Sequence, residues 1–533
     1  MSDLVLLGDE AVSQGAIDAG ISIAYGYPGT PSTEIIEYLQ EWKRKEDHSL
    51  VASWCSNEKT AYEAAVAVSM MGKRSLVTMK HVGLNVAADA FMNSIGFTIN
   101  GGLVLAVADD PGMHSSQNEQ DSRYYADFAR TVCMEPRNQQ EAYEMTKEAF
   151  HLSETLHLPV LLKLTTRISH SRAVVKRGPI REKKELNPSR DRHHWTNLPF
   201  LSRQNYEVLW QQRTELVTIS ENSDYNPLII HPDNTDLAVI TTGLAYNYYK
   251  EAEKELENKP SHLHISFYPM PEKKIRALAQ RAKRVIVIEE GYPYVERFLK
   301  GILPLEIQID GKLNDTIPHL GEINPDICRR ALGLPVFEAV RPPIQDLPGR
   351  PPQLCRGCPH TDSYKALNKA LEEYDHPVVT SDIGCYTLGY FPPHNAIHSC
   401  LDMGASVSMA RGAAEAGAHP VVGVIGDGTF MHTGIQGLVD MLSAGNRVTL
   451  LILDNSITAM TGMQETIVDS SRIVEIVKGC GADPEHIKIL KPLPKNLEEN
   501  TAIIKGEIDY DGVSVIISAR ECVHITKKRL SKR

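Results

Sequence analysis

From Met1 to about His170, short apolar runs (ISIAYGY, SLVTMK, LVLAVAD, PVLLKL) alternate with amphipathic stretches of helical period. Such alternation predicts strands and helices wound into a parallel α/β sheet. From Ser171 to about Thr235 the pattern gives way to charged and polar sequence with neither period sustained, which predicts a long surface connector. A second α/β pattern opens at DLAVITTGLAY and runs through HISFYPM and RVIVIEEGYPYVERFL before fading near Val340. The proline-rich stretch RPPIQDLPGRPPQ is unfit for a helix or a central strand and predicts a linker. Beyond it, PVVTSDIG, HPVVGVIGDG, VTLLILDNS and VSVIISAR repeat the strand pattern. The expected architecture is three doubly wound parallel-sheet α/β domains, over residues 1–172, 236–340 and 354–533, joined by a connector (173–235) and a linker (341–353).

The length of 533 residues agrees with three or four domains at about 150 residues each. A net charge of −11 argues against a surface that binds a phosphate backbone, so no nucleic-acid partner is expected. No apolar run approaches the ~20 residues of a membrane span, and the N-terminus lacks the basic flank of a leader. A soluble, cytoplasmic protein is expected. Nine cysteines do not resemble a secreted disulfide framework and direct attention to metal chemistry instead.

The third region carries the densest chemistry. The apolar strand HPVVGVI runs into Gly426, Asp427, Gly428 and Thr429, and a second strand, VTLLILD, runs into Asn455. One helix and one strand fit between them, which places Asp427 and Asn455 at the carboxyl ends of two strands of one parallel sheet, where ligands bind. Oxygen ligands there suit a hard divalent cation shared with a phosphate, while the glycines admit backbone amides and the following helix offers its positive end. The tripeptide alone serves an ordinary strand-end turn equally well.

In the first region, SNEKTAYEAAVAVSMMG predicts a helix capped by Ser56 or Asn57 and stopped by Gly72. Glu58 falls on the apolar stripe of Ala61, Ala65 and Val68; it is either a first-turn acid favoured by the helix dipole or a carboxyl held buried for a purpose. YGYPGTPSTE predicts Thr30 as N-cap and Pro31 as the first helical residue, with the Thr30 hydroxyl at a helix end suited to a carboxylate. The polar loop DDPGMHSSQNEQDSRYY follows an apolar strand and offers His114, Gln117, Asn118 and Arg123. Arg123 is the cation suited to a substrate carboxylate by its fork geometry, or else half of a surface ion pair. KHVGLN adds His81 and Asn85 at another strand end, His81 as an acid or base or as a simply hydrogen-bonded histidine.

DIGCYTLG, LDMGASVSMARGAAEAG and GDGTFMHTGIQGL, with YGYPGTPSTE and KHVGLN, resemble the alpha subunit of indolepyruvate ferredoxin oxidoreductases over nearly the whole chain. The resemblance implies a thiamine-diphosphate enzyme in which the first domain binds the pyrimidine, the second is transketolase-C-like and the third binds the diphosphate. It implies that Asp427, Asn455 and the backbone carbonyl of Ile457 hold Mg2+, and that Gly384, Cys385, Met403 and Gly404 line the cofactor with Gly426, Gly428 and Thr429. Glu58 matches the glutamate that activates the aminopyrimidine, and Thr30 the threonine that contacts the oxoacid. The implied reaction is oxidative decarboxylation of an arylpyruvate with coenzyme A to acyl-CoA and CO2. A non-oxidative thiamine-dependent decarboxylase or carboligase is the alternative.

Cys355 and Cys358 form a CxxC that could be a redox pair, half a zinc site or chance. By resemblance to related beta subunits, they join Cys385 and Cys522, with Cys480 as a substitute for the last, around a [4Fe-4S] cluster. The family commonly finishes in a ferredoxin-like domain with two cysteine runs, which this sequence lacks, so electrons are expected to pass to ferredoxin or another carrier by a different exit. A smaller gamma-like subunit is the expected partner, in a dimer of heterodimers.

Overall fold

The computed structural model describes residues 3–188, 191–336, 352–468 and 470–526. Most of the proline-rich linker and the closing KKRLSKR lie outside the described residues. The chain forms two compact units, Met1–Arg341 and Pro342–Arg533. Among the described residues, no helix is long and apolar enough to cross a membrane.

The first unit holds an antiparallel strand pair, Leu4–Leu7 with Arg172–Val175, and two larger sheets. One has seven strands in the order Phe267–Tyr268, Cys133–Met134, Val160–Thr165, Leu103–Asp109, Ser75–Lys80, Ile23–Gly26 and Val51–Trp54. All pairings are parallel except the first. Its central strands are apolar without alternation, and Val104 to Ala108 are fully buried, because helices cover both faces. From Ile23–Gly26 the chain crosses outward to Val51–Trp54. It returns on the other side as Ser75–Lys80 and continues away. The strands Ile23–Gly26 and Ser75–Lys80 therefore flank the point where the winding reverses, and the crevice at their carboxyl ends is where a doubly wound sheet binds ligands.

The second sheet runs Gln308–Asp310, Arg284–Ile288, Leu237–Thr242, Ser261–Ile265 and Leu228–Ile229, the last antiparallel. Two sequence expectations change here. The stretch expected to be a structureless connector contains a helix, Pro199–Asn222, and supplies the edge strand Leu228–Ile229. That helix buries only Leu201, Leu209, Leu216 and Ser220; apolar anchors two turns apart leave too thin a stripe for periodicity to register. The strand Phe267–Tyr268, from the middle region, joins the edge of the first sheet, so the two α/β patterns share hydrogen bonds.

The joint between these sheets buries many charges. Asp109, Asp121, Glu135, Glu289 and Glu290 are all under 5% exposed, with Arg123 and Lys163 as buried cations. Burial pushes the carboxyls of Glu289 and Glu290 up to about 7. A carboxyl with a raised folded-state pKa binds its proton more tightly when folded, so its contribution is full at low pH and is lost as pH rises toward 7. Glu290, whose Oε1 accepts from the Ile323 amide at 3.1 Å, should make stability fall by up to about 1.4 kcal/mol per pH unit between roughly pH 4.5 and 7. Urea unfolding of wild type and Glu290→Gln at pH 5.5, 6.5 and 7.5 should show a shallower decline in the variant.

The second unit is built on a five-stranded parallel sheet, ordered Val378–Ser381, Val421–Gly426, Val448–Asp454, Val513–Ala519 and Ile487–Leu490, beside a short antiparallel pair, Ile457–Thr458 with Gln464–Glu465. Helices Pro359–Leu371 and Leu497–Asp509 pack together on it, and helices Ala405–Glu415 and Ile435–Ala444 form another packed pair.

Candidate cofactor and substrate sites

In the first unit, helix Glu58–Met70 starts where Asn57 caps it, the Asn57 side chain accepting from the Thr60 amide at 2.9 Å. Glu58 is thus the first helical residue, and it is only 6% exposed. Its carboxylate lies on Gly83 of helix His81–Ser94: a Cβ added to Gly83 would sit 2.4 Å from Glu58 Oε1 and 2.7 Å from Cδ. Nothing in the spacing of KHVGLN reports this contact of Gly83 with a helix some twenty residues earlier in the chain. Gly83→Ala should push the carboxylate aside. Since an ångström of misplacement can cost about 100-fold in rate, turnover should fall on that order while circular dichroism stays unchanged.

Next to Gly83, His81 is buried, its Nε2 3.3 Å from the Asn118 carbonyl oxygen. Burial and the adjacent Lys80 charge lower its pKa, which keeps the ring neutral near pH 7. Asn85 accepts a 2.5 Å hydrogen bond from the Tyr125 hydroxyl.

Thr30 is not the N-cap. Helix Thr33–Lys45 begins after Ser32, because Gly29 to Ser32 close a turn of their own. The Ser32 amide and hydroxyl both donate to the Gly29 carbonyl, at 2.7 and 2.8 Å, and the Gly29 amide donates to Thr33 Oγ1 at 3.1 Å. Thr30 therefore sits on the loop ahead of the helix, half-buried, its carbonyl accepting from Ser115 Oγ at 3.2 Å.

Of the polar loop, His114, Gln117 and Asn118 are exposed, and His114 Nε2 lies 3.4 Å from Glu322. Arg123 is placed otherwise than expected: its side chain is fully buried. It donates to Asp121 at 2.5–3.1 Å and to the Glu290 carbonyl at 2.8 Å, and lies 3.0 Å from Glu289. Asp121 heads the carboxylates that hold the guanidinium charged against burial, so its charge is spent fastening the two sheets. Breaking a buried ion network costs about 3–5 kcal/mol. Arg123→Met should destabilise the first unit by that order and lower its unfolding temperature accordingly, measured by calorimetry.

In the second unit, the strand ends converge. Asp427 follows Val421–Gly426, and Asp454 and Asn455 end the neighbouring strand. Oδ2 of Asp427 and Oδ2 of Asp454 are both buried without a hydrogen-bond partner. Burial first, and the Asp454 charge second, push the Asp427 carboxyl well above its usual range. Two buried carboxylates with bare oxygens are an arrangement a divalent cation would relieve, and the oxygen donor set suits magnesium. Asp454, adjacent to the quoted Asn455, was not among the expected residues. Asn455 accepts from the Ile457 amide at 3.1 Å, and its Nδ2 lies 3.3 Å from Nε2 of His360, whose pKa burial lowers to about 4.

The glycine loops gather round this point. Asp382 is wholly buried, its carboxyl pushed up to about 6 by burial. Its Oδ2 accepts from the amides of Gly404 and Ser406 at 3.0 and 3.2 Å and from the Ser406 hydroxyl at 2.6 Å. Gly404, with φ +92°, turns the chain into helix Ala405–Glu415, and the Met403 carbonyl accepts from Thr433 Oγ1 at 2.5 Å. Thr429 donates to the Ile383 carbonyl at 3.2 Å, and Gly384 and Gly426 both abut the Tyr386 ring. Gly428 lies close to Thr458. The helix starting at Asp427 contains a π turn, Phe430–Gly434, a feature frequent at functional sites.

Beside the loop, the thiol of Cys385 is pushed up to about 12 by burial and then by the neighbouring thiols of Cys358, Cys522 and Cys355. The Cys358 amide donates to the Cys355 carbonyl at 2.9 Å, and the Cys522 amide to the Asn455 carbonyl at 3.1 Å. Cys355 Sγ is 3.3 Å from His524 Nε2. Cys480 does not figure among the neighbours of these thiols. Among the described residues, no three His, Cys, Asp or Glu side chains converge on a single-ion site.

Residues 14–221 match the family described as pyruvate flavodoxin/ferredoxin oxidoreductase, thiamine diphosphate binding, and residues 382–517 match the C-terminal thiamine pyrophosphate-binding domain of thiamine enzymes. With the parallel sheets, these matches define the class: the large subunit of a thiamine-diphosphate-dependent 2-oxoacid oxidoreductase. The chain is 37% identical to the indolepyruvate oxidoreductase subunit IorA of Archaeoglobus fulgidus, over 97% of this chain and 86% of that one. It is also 37% identical to the subunit IorA of Methanothermobacter thermautotrophicus, over 98% and 87%. It belongs to the IorA family. A solved 2-oxoglutarate:ferredoxin oxidoreductase from Magnetococcus marinus aligns over 58% of this chain and 62% of that one, with a TM-score of 0.49 and 15% identity.

Proposed function

We propose that this subunit oxidatively decarboxylates an arylpyruvate of the indolepyruvate kind to acyl-CoA and CO2. Thiamine diphosphate supplies the carbanion chemistry when bound. Glu58 accepts or donates the hydrogen bond at the pyrimidine ring nitrogen that makes the cofactor reactive. Asp427 and Asn455, with the carbonyl of Ile457, would hold Mg2+ against the diphosphate, and the loops at Gly426, Gly428 and Gly404 would admit its oxygens. Neutral His81, joined to the loop at Asn118, can exchange a proton with the substrate at the first unit's strand ends. Thr30, His114, Gln117 and Asn118 are the residues proposed to face the oxoacid.

The observation that carries the oxidative reading is the mutual proximity of the thiols of Cys355, Cys358, Cys385 and Cys522 beside the loop that contains Gly384. Four such thiolates are the donor set of a [4Fe-4S] cluster, which would take electrons from the cofactor and pass them to ferredoxin or another carrier. A smaller gamma-like subunit completes the enzyme in this reading, as a dimer of heterodimers. The test is the purified complex, kept anaerobic and supplied with phenylpyruvate, coenzyme A and a viologen. Dye reduction with acyl-CoA formation supports the reading, as do iron, labile sulfide and a paramagnetic resonance signal on reduction. Free aldehyde without dye reduction would replace it with the non-oxidative decarboxylase.

A further inference from the structure

With Arg123 spent in the interior, the proposed oxoacid needs another cation, and the first unit has one at the point where its sheet reverses. Lys80 is the last residue of strand Ser75–Lys80, across the reversal from the Ile23–Gly26 strand end that leads to Thr30. It is 8% exposed. Its stem lies under the turn at Gly29, where an added Cβ would come 3.1 Å from Lys80 Cβ. Its Nζ donates to the Ser115 carbonyl at 2.7 Å and to Ser115 Oγ at 3.1 Å. Ser115 Oγ is in turn 3.2 Å from the Thr30 carbonyl. The ammonium therefore stands between the two loops that frame the crevice.

Two of its three donors are engaged, both by neutral oxygens of Ser115, and one remains. Among the described residues, no carboxylate lies within ion-pairing distance of Nζ. Asp110 is the acid nearest in effect, but its oxygens are taken by the Ser115 amide, the hydroxyls of Ser115 and Ser116, and that of Thr166, at 2.6–3.3 Å. The Thr30 hydroxyl likewise has no partner among the described residues. A buried ammonium with a spare donor is a costly feature that a bound carboxylate would complete.

We infer that Lys80 is the cation that binds the carboxylate of the 2-oxoacid substrate, with the Thr30 hydroxyl as its companion donor. The inference rests on the oxidoreductase reading for the identity of the ligand and on Lys80 alone for its place. Burial lowers the Lys80 pKa to about 8, with the Asp110 charge opposing; His81, the other titratable neighbour, is held neutral. Lys80 consequently loses its proton within an accessible pH range.

The test compares wild type, Lys80→Met and Lys80→Arg in the holo complex. Losing one charge-assisted contact in a buried site is worth on the order of 10- to 100-fold, and Lys80→Met should raise KM for phenylpyruvate by that factor. KM for coenzyme A and the affinity for thiamine diphosphate should stay within about two-fold, since neither is recognised by Lys80. Lys80→Arg should recover part of the loss. In wild type, kcat/KM for phenylpyruvate should decline above about pH 8, and in Lys80→Arg it should not. An unchanged phenylpyruvate KM in Lys80→Met, or equal losses toward both substrates, as expected of a mere loop tether, would overturn the inference. Calorimetric binding of phenylpyruvate to wild type and Lys80→Arg across that pH range reads the same contact without turnover. If wild type binds phenylpyruvate in a Lys80-dependent way yet reduces no dye, the oxidoreductase reading fails and the carboxylate site stands.

Discussion

Glu58→Gln is expected to yield a folded subunit that binds thiamine diphosphate and turns over slower by roughly two to four orders of magnitude, the range spanned by single proton-transfer groups. The amide keeps the shape that packs against Gly83 but cannot hold a negative charge against the pyrimidine. Packing should survive, because Asn57 rather than Glu58 caps the helix. Stopped-flow turnover, with thermal unfolding as control, reads both halves of the expectation. A Glu58→Gln enzyme with near-normal turnover would remove Glu58 from the chemistry and leave it as a first-turn acid.

The second large effect is expected at the other unit, and there stability and function should move in opposite directions. Asp427 is buried beside Asp454, and its carboxyl is raised by burial and by that like charge. Without a cation, holding the Asp427 charge is unfavourable. Asp427→Asn removes the charge and should stabilise the cofactor-free subunit by about 1 kcal/mol, roughly 2–4 °C in unfolding temperature. The same change removes a charged metal contact worth about 3 kcal/mol, so thiamine diphosphate with magnesium should bind roughly 100-fold more weakly. The rise in unfolding temperature that cofactor and metal give wild type should then largely vanish. Calorimetric scans with and without both ligands measure the two effects together. A variant destabilised when cofactor-free and still protected by the ligands would exclude Asp427 from the metal site.

The candidate residues of both units are legible from local pattern in the chain. Asp427 and Asn455 each follow an uninterrupted apolar strand, and adjacent parallel strands bring their carboxyl ends side by side. Local pattern suffices for that, because period and run length mark a buried strand and the next polar residue must lie at its end. Glu58 was legible as a first-turn carboxyl on an apolar stripe for the same reason. Pro199–Asn222 was not legible as a helix, since its buried leucines are spaced too widely for a stripe.

What the sequence by itself determined is the doubly wound class, the first-turn position of Glu58 on its helix, the strand-end positions of Asp427 and Asn455, and the cysteine set worth watching. Only the tertiary structure decided which charges are spent and which are available. Arg123 looked accessible in a polar loop, yet Asp121, Glu289 and the Glu290 carbonyl enclose it, and two of those partners lie on a different sheet. Lys80 looked like the end of a strand, yet Ser115 and Gly29 fix it at the reversal point. Burial and pairing are properties of neighbours far away in the chain, and no local period carries them.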